Sequence, residues 1–484
     1  MAESASYSGL IVALFLPWAV GAIWVRWLQG TSGRWNWFIV LGQGYLLGIL
    51  ATCLILFLWG TVSLPFHFWL TASCIFALGI VGLIAIKFQT PAAPHAQDAA
   101  EKPGLVRSLA ILILLSLIVL RYTTLLQEVS LRPLYAWDAW MNWAPKSLVW
   151  FHHREFTSFV SPDQWLLSQP ESGVYTLGAS GAWRYPNLIP LIQLWGMLGA
   201  GVSEHNLIFA PWLLVVLALG LSLYGYLRLA GASVLMSTTA CYLLLNLPYV
   251  NVHTALSGYA DIWVMAAFGS AVFALQEWEQ RRDSSQAVIA LLMAALCTQM
   301  KVPGIIFASI VAFAFLLILL KAFTRPRVYF LFAALAVMLL VISYGLAIDI
   351  PTIGHLSLSF EGVTVPYIGT FQFSYQPVHE AFTNTLFLMI NWNMLWYLLI
   401  VSIICGCFKL EVMRKSLASL LCLSLALLFI LFVYYFTERY TFALDYTQSN
   451  RALIYLSPLI VLHVFRSIHY ETMARTICST RGQV

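Results

Sequence analysis

About thirteen stretches of this chain are apolar over the length a membrane helix requires. That pattern constrains the fold more than any other feature of the sequence. A bilayer-crossing helix needs roughly 20 predominantly apolar residues. The qualifying runs are 8–25, 35–60, 66–86, 108–126, 206–229, 234–250, 260–275, 286–300, 303–320, 328–348, 381–406, 416–436 and 452–465. Composition agrees. Only 9% of the 484 residues are charged and 61% are hydrophobic, whereas soluble domains carry about 25% charge. There are too few charges to coat soluble domains of this total length, so an ordinary soluble enzyme is excluded, and a disordered chain with it. Of eight cysteines, all but Cys478 lie in apolar runs, which excludes a disulfide framework and gives no zinc spacing. The first run follows an acidic start and does not read as a cleavable signal peptide. The expected fold is an all-α polytopic membrane protein with about 13 spans.

Basic residues orient the spans. With the N-terminus outside, 17 of the 25 Lys and Arg residues fall on the cytoplasmic side, which then carries +10 against −5 outside. The Ala/Pro-rich segment 89–106 reads as a flexible cytoplasmic linker between three N-terminal helices (1–88) and the remaining spans (107–466), with 467–484 as a cytoplasmic tail. Three long outer loops remain, 127–205, 349–380 and 437–451; loops of this length are usually functional or disordered, and the first is too aromatic to be disordered.

The first outer loop holds Trp137, Trp140 and Trp143, spaced by three. On a helix they share one face, which predicts an element lying in the membrane interface. Asp138 belongs to this element. A carboxylate fixed there suits a general base, and it equally suits a helix N-cap. Residues 186–199 read as a second interfacial or half-inserted helix, too short for a span.

The order of these features resembles the GT-C integral-membrane glycosyltransferases. An outer loop carries an acid among aromatics (Tyr135-Ala-Trp-Asp138), then Tyr185-Pro-Asn-Leu188, then Ser203-Glu204 opening a span that ends near Arg228. Gly258-Tyr-Ala-Asp261 opens a later span, and Lys301-Val-Pro-Gly304 sits at an outer turn. The likeness covers roughly 108–465 and leaves the first three helices as extra. One departure is plain. Many members pair two acids in this loop, and here Ala139 follows Asp138. The resemblance implies transfer of a sugar from a polyprenyl-phosphate donor to an acceptor glycan, lipid or protein on the outer face, usually with inversion. The compact loops, with no long glycosylated lumenal domain, favour a bacterial inner membrane with a periplasmic site over an endoplasmic reticulum membrane.

The chemistry asks for one carboxylate to take the acceptor proton and for cations against the developing phosphate charge. Asp138 is the expected base. Lys146, Arg184, Tyr185, His253, Asp261, Lys301 and Arg451 are the expected donor-phosphate or sugar ligands. Each has a bland alternative. Lys146 and Arg184 would snorkel to the interface, and Asp261 would sit on its helix dipole. Arg451, at a helix start, requires compensation by an acid such as Asp445 or by a bound phosphate. Arg121 is expected to pair with Glu128 or to snorkel. His152, His153 and Glu155 read as a solvated loop, so no metal site and no cofactor is expected, although a divalent ion is left open. Competing classes are a transporter or flippase for a lipid-linked saccharide, and a glycan polymerase or ligase. A transporter should show inverted repeats with broken helices in matching halves, and no such repeat is visible in the sequence.

Overall fold

The computed structural model describes residues 5–30, 36–89, 104–169, 173–179, 181–320, 340, 343–350, 354–365, 369–408 and 415–481. Helices form over the apolar runs. In chain order they begin with α1 (Tyr7–Gly30), α2 (Trp37–Thr61), α3 (Phe68–Lys87), α4 (Leu105–Leu131), α5 (Ala144–His153), α6 (Pro162–Leu167) and α7 (Leu188–Ala200). There follow α8 (Pro211–Leu229), α9 (Val234–Leu245), α10 (Pro248–Ala255), α11 (Asp261–Arg281), α12 (Ser284–Thr298) and α13 (Pro303–Leu319). The last group is α14 (His379–Thr383), α15 (Leu395–Cys407), α16 (Leu417–Phe436), α17 (Thr441–Leu444), α18 (Ser449–Leu453) and α19 (Ser457–Arg481).

Among the described residues, seven helical stretches are long and apolar enough to cross a membrane, and five apolar helices are shorter. The chain is a mostly helical membrane protein. Helix α4 makes the environment clear: only Tyr122, Leu125 and Val129 are buried along it. Most of its other leucines and isoleucines are exposed, which suits lipid and not water.

Several runs depart from single helices. The run 234–250 breaks between α9 and α10 because Pro248 offers no N–H and bars its predecessor from helical geometry. The run 381–406 divides into α14, a π turn (Asn384–Leu388), a 3₁₀ turn (Ile390–Trp392) and α15. The run 328–348 lies mostly outside the described residues, as does most of the linker 89–106, and residues 346–348 belong to a strand. The second outer loop, expected only as a long loop, carries most of a four-stranded antiparallel meander: β1 (Leu346–Ile350), β2 (Gly354–Leu358), β3 (Gly362–Val365) and β4 (Gly369–Gln372). Its register sets Leu346 opposite Leu358 and Val363 opposite Phe371. The bundle is therefore helical as expected, with a small sheet added. At the C-terminus, α19 runs on through Arg481, well past the expected end of the last span.

Helix α7, expected as an interfacial or half-inserted helix, is packed within the protein: all thirteen of its residues are buried. Trp195 Nε1 donates to Ala13 O at 2.8 Å and Ser6 N to Ala200 O at 2.8 Å, tying α7 to α1. The N-terminal helices are likewise part of the bundle and not an appendage. Gly42 of α2 lies against Ser222 of α8, and Gln43 Nε2 donates to Ser270 O of α11 at 3.3 Å.

Candidate functional site

Four charged side chains from four distant segments meet where the start of α11, the turn before α13, the loop before α5 and helix α18 converge. Asp261 opens α11 and is completely buried. Lys301 Nζ donates to its Oδ1 at 2.8 Å, and the Tyr455 hydroxyl donates to the same oxygen. Arg451 supplies the other oxygen, with Nη2 at 2.6 Å and Nε at 3.2 Å from Oδ2. The same Nη2 also donates to Asp138 Oδ2. Arg451 thus bridges two carboxylates, and the Tyr259 ring lies 4.6 Å beneath its guanidinium. Two acids and two bases balance formally. In a water-poor setting such a network is stable only when every group is bonded, and Asp261 meets that condition with bonds from three side chains.

Local sequence explains why these segments can approach. Gly258, at φ +95°, turns the chain into α11. A Cβ there would lie 2.5 Å from Ala139 Cβ, so only glycine lets this turn pack against the residue after Asp138. Trp212 Nε1 holds the turn by donating to Tyr259 O at 2.6 Å. Asp138 precedes a π turn (Ala139–Trp143) and makes no capping hydrogen bond. The N-cap alternative therefore does not describe it, because its carboxylate is committed to Arg451.

The π turn also splits the Trp stripe. Trp137 and Trp140 are 68% and 51% exposed, whereas Trp143 is 1% exposed. A π turn is wider than an α turn, so a spacing of three no longer keeps one face. Trp143 points inward and lies 5.2 Å from the Tyr185 ring. Burial, then the nearby Asp138 charge, raises the Tyr185 hydroxyl above its ordinary range.

The other expected ligands divide. Lys146 is buried and spends its ammonium on Trp183 O (3.2 Å), Tyr185 O (3.0 Å) and Asn187 Oδ1 (3.1 Å). It tethers the Tyr185 loop and neither joins the ionic cluster nor snorkels. Burial pushes it down to about 8. Arg184 is exposed and lies over Trp183 at 4.9 Å, outside the cluster. His253 is buried between Tyr249 (4.5 Å) and Tyr259 (5.7 Å), and neither ring nitrogen has a hydrogen-bond partner among the described residues. Burial pushes it down to about 4, which leaves it neutral at pH 7. Burial and the neighbouring Arg451 also lower Lys301.

Arg451 is compensated by Asp261 and Asp138. Asp445 instead accepts from Thr447 N and Oγ1, closing its own turn. Glu128 pairs with Arg132 at 2.7 Å, not with Arg121. No group of three or more metal-ligating side chains exists among the described residues. Sequence reading missed Tyr455 and Tyr259 as site members. Tyr455 stands four residues after Arg451, one helical turn on the same face, and that spacing was the available signal.

Fold and site together define a mostly helical membrane protein with a buried ionic cluster at one end of its bundle. The chain matches no protein-family model, no curated protein and no solved structure.

Proposed function

We propose that this chain is a membrane glycosyltransferase. It moves a sugar from a polyprenyl-phosphate donor to an acceptor hydroxyl on the outer, periplasmic face, with Asp138 as base and inversion at the anomeric carbon. The observation that carries the reading is the shared arginine. Asp261 is buried and held by Lys301, Tyr455 and Arg451, whereas among the described residues Asp138 is held by Arg451 alone, and its side chain is 17% exposed. A donor phosphate entering beside Lys301 competes for Arg451. Asp138, the less buried and less bonded holder, is the one displaced. The carboxylate is then freed to accept the acceptor proton as the hydroxyl attacks. Arg451 and Lys301, still anchored on Asp261, face the charge that grows on the leaving phosphate. Phosphate leaves without a general acid, so a single base suffices. Tyr185 and neutral His253 lie near the same charges and suit contacts to sugar hydroxyls.

Against the transporter reading stands the placement of charge. The four ionisable groups gather at one end of the bundle, at helix starts and turns, whereas transporter sites lie near the midplane between broken repeats. The test is label transfer by purified protein from a panel of radiolabelled polyprenyl-phosphate monosaccharides to a membrane lipid extract. Transfer by wild type that is lost in Asp138→Asn supports the proposal. Label that crosses a liposome bilayer without leaving its carrier would overturn it in favour of transport.

A further inference from the structure

A second polar cluster lies at the far end of α11, roughly 27 Å from Asp261 at 1.5 Å of rise per residue. The transfer reading does not use it. Arg466 of α19 is 1% exposed there. Its Nη2 donates to the Tyr470 hydroxyl at 2.8 Å. Its Nε and Nη1 have no hydrogen-bond partner among the described residues. Two acids lie on α11 nearby, and Glu279 is close enough to interact with the Arg466 charge. Glu279 accepts from Gln276 Nε2 (2.7 Å) and from Ala418 N (3.0 Å) at the start of α16, and Glu277 pairs with Arg281.

Meanwhile a second cation is drawn to the same place. The Lys415 ammonium lies 5.1 Å from the centre of the Tyr470 ring and the Arg466 guanidinium 5.6 Å from it. Next to Lys415, the Ser416 hydroxyl is buried and unpartnered among the described residues. So is Nε2 of His469, beside Tyr470. Lys415 and Gln280 beside these groups are exposed.

A buried guanidinium that leaves Nε and Nη1 without hydrogen-bond partners among the described residues is costly. Two cations, a spare hydroxyl and unspent guanidinium N–H groups suit a tetrahedral oxyanion. We propose that Arg466, Lys415 and Ser416 form a phosphoryl-binding site at this end of the bundle. It is occupied by the headgroup of an anionic phospholipid or by free phosphate. The proposal is independent of the transfer reading, and its readout is binding.

The full chain is placed in phosphatidylcholine nanodiscs and titrated with inorganic phosphate at constant ionic strength, balanced with chloride. In a second arm, phosphatidylglycerol replaces part of the lipid and phosphate is omitted. Thermal unfolding is followed for wild type, Lys415→Gln and Arg466→Gln. Stabilisation is expected in at least one arm. It should require about tenfold more ligand in Lys415→Gln and vanish in Arg466→Gln. Lys415 is exposed, so its variant keeps the test valid if Arg466→Gln fails to fold. A shift with lipid alone assigns the headgroup, and a shift with phosphate alone assigns the free anion. No shift in either arm, or equal shifts in wild type and Lys415→Gln, overturns the proposal.

Discussion

Asp138 and Asp261 hold the same arginine, but burial gives them different work. Replacing Asp261 with Asn strands Lys301 and Arg451 in a buried site, a loss of about 3 kcal/mol or more. Replacing Asp138 removes one partly exposed contact, a loss of about 1 kcal/mol, yet it removes the proposed base and with it about 100-fold or more in transfer rate. Thermal melts in detergent beside label-transfer rates separate the two variants. If Asp138→Asn destabilises as much as Asp261→Asn, the division of roles is wrong. Lys146 carries a pH signature. Its side chain is lowered from 10.5 to about 8 in the fold, so between those values the unfolded chain binds the extra proton. Stability then rises with pH across that window. Lys146→Met lacks this gain and leaves three oxygen acceptors without their donor. Its deficit relative to wild type should widen by on the order of 1–2 kcal/mol from pH 7 to pH 9.5. A deficit that stays constant would mean Lys146 is not a buried cation. The residues of the ionic cluster were legible in sequence because cations and acids are so scarce beside the outer turns. Lys146 and Arg184 were equally notable and lie outside the cluster, because scarcity marks a residue without saying which acceptor it reaches.

At the scale of single elements, glycines decide how closely helices cross. Gly44 and Gly48 of α2 are spaced by four, the small-residue pattern that lets membrane helices touch. A Cβ on Gly48 would lie 1.7 Å from Pro17 O, and one on Gly21 would lie 1.9 Å from Gly44 O. Neither obstacle is a flexible side chain. Gly48→Ala should therefore force α1 and α2 apart, at a cost of about 1–3 kcal/mol. The loss appears as a lower melting temperature and a smaller monodisperse fraction. Gly181→Ala, where a Cβ meets nothing within 4 Å, is the control and should behave as wild type. Equal behaviour of the two would remove the crossing argument. Most elements were legible from hydropathy alone, with α2, α3, α13 and α16 beginning and ending within a few residues of their apolar runs. What hydropathy did not carry is the local winding. The π turn at Ala139–Trp143 turns Trp143 inward, and no period of three foretells that. The buried α7 resembled an interfacial helix because a short apolar run has the same composition whether protein or headgroups surround it. The meander β1–β4 was missed because its alternation is weak in a loop read only for length.

For the whole molecule, the three N-terminal helices are the decisive question, since their sequence sets them apart while their packing does not. In lipid, exposing an apolar face costs little, so helices cohere through close packing and polar contacts. Helix α2 supplies both. A chain of contacts also runs from it to the site. The Tyr45 ring lies 6.2 Å from Trp263, and Trp263 lies 5.6 Å from Trp212. Trp212 holds the backbone of Tyr259, whose ring lies beneath Arg451. Removing α1–α3 therefore takes away the far wall of the support for Arg451, and it uncovers α7, which is buried along its whole length. Expressed alone, residues 104–484 should fail to give a monodisperse particle in mild detergent. Supplied as a separate chain in the same membrane, residues 1–89 should restore it, because the contacts are between helices and do not depend on the linker. Tyr45→Ala in the intact chain should act in the same direction more mildly, with transfer reduced and the fold kept. A monodisperse 104–484 fragment with wild-type thermal stability would show the opposite, that α1–α3 are an accessory layer and that the Tyr45-to-Arg451 contacts do not support the site.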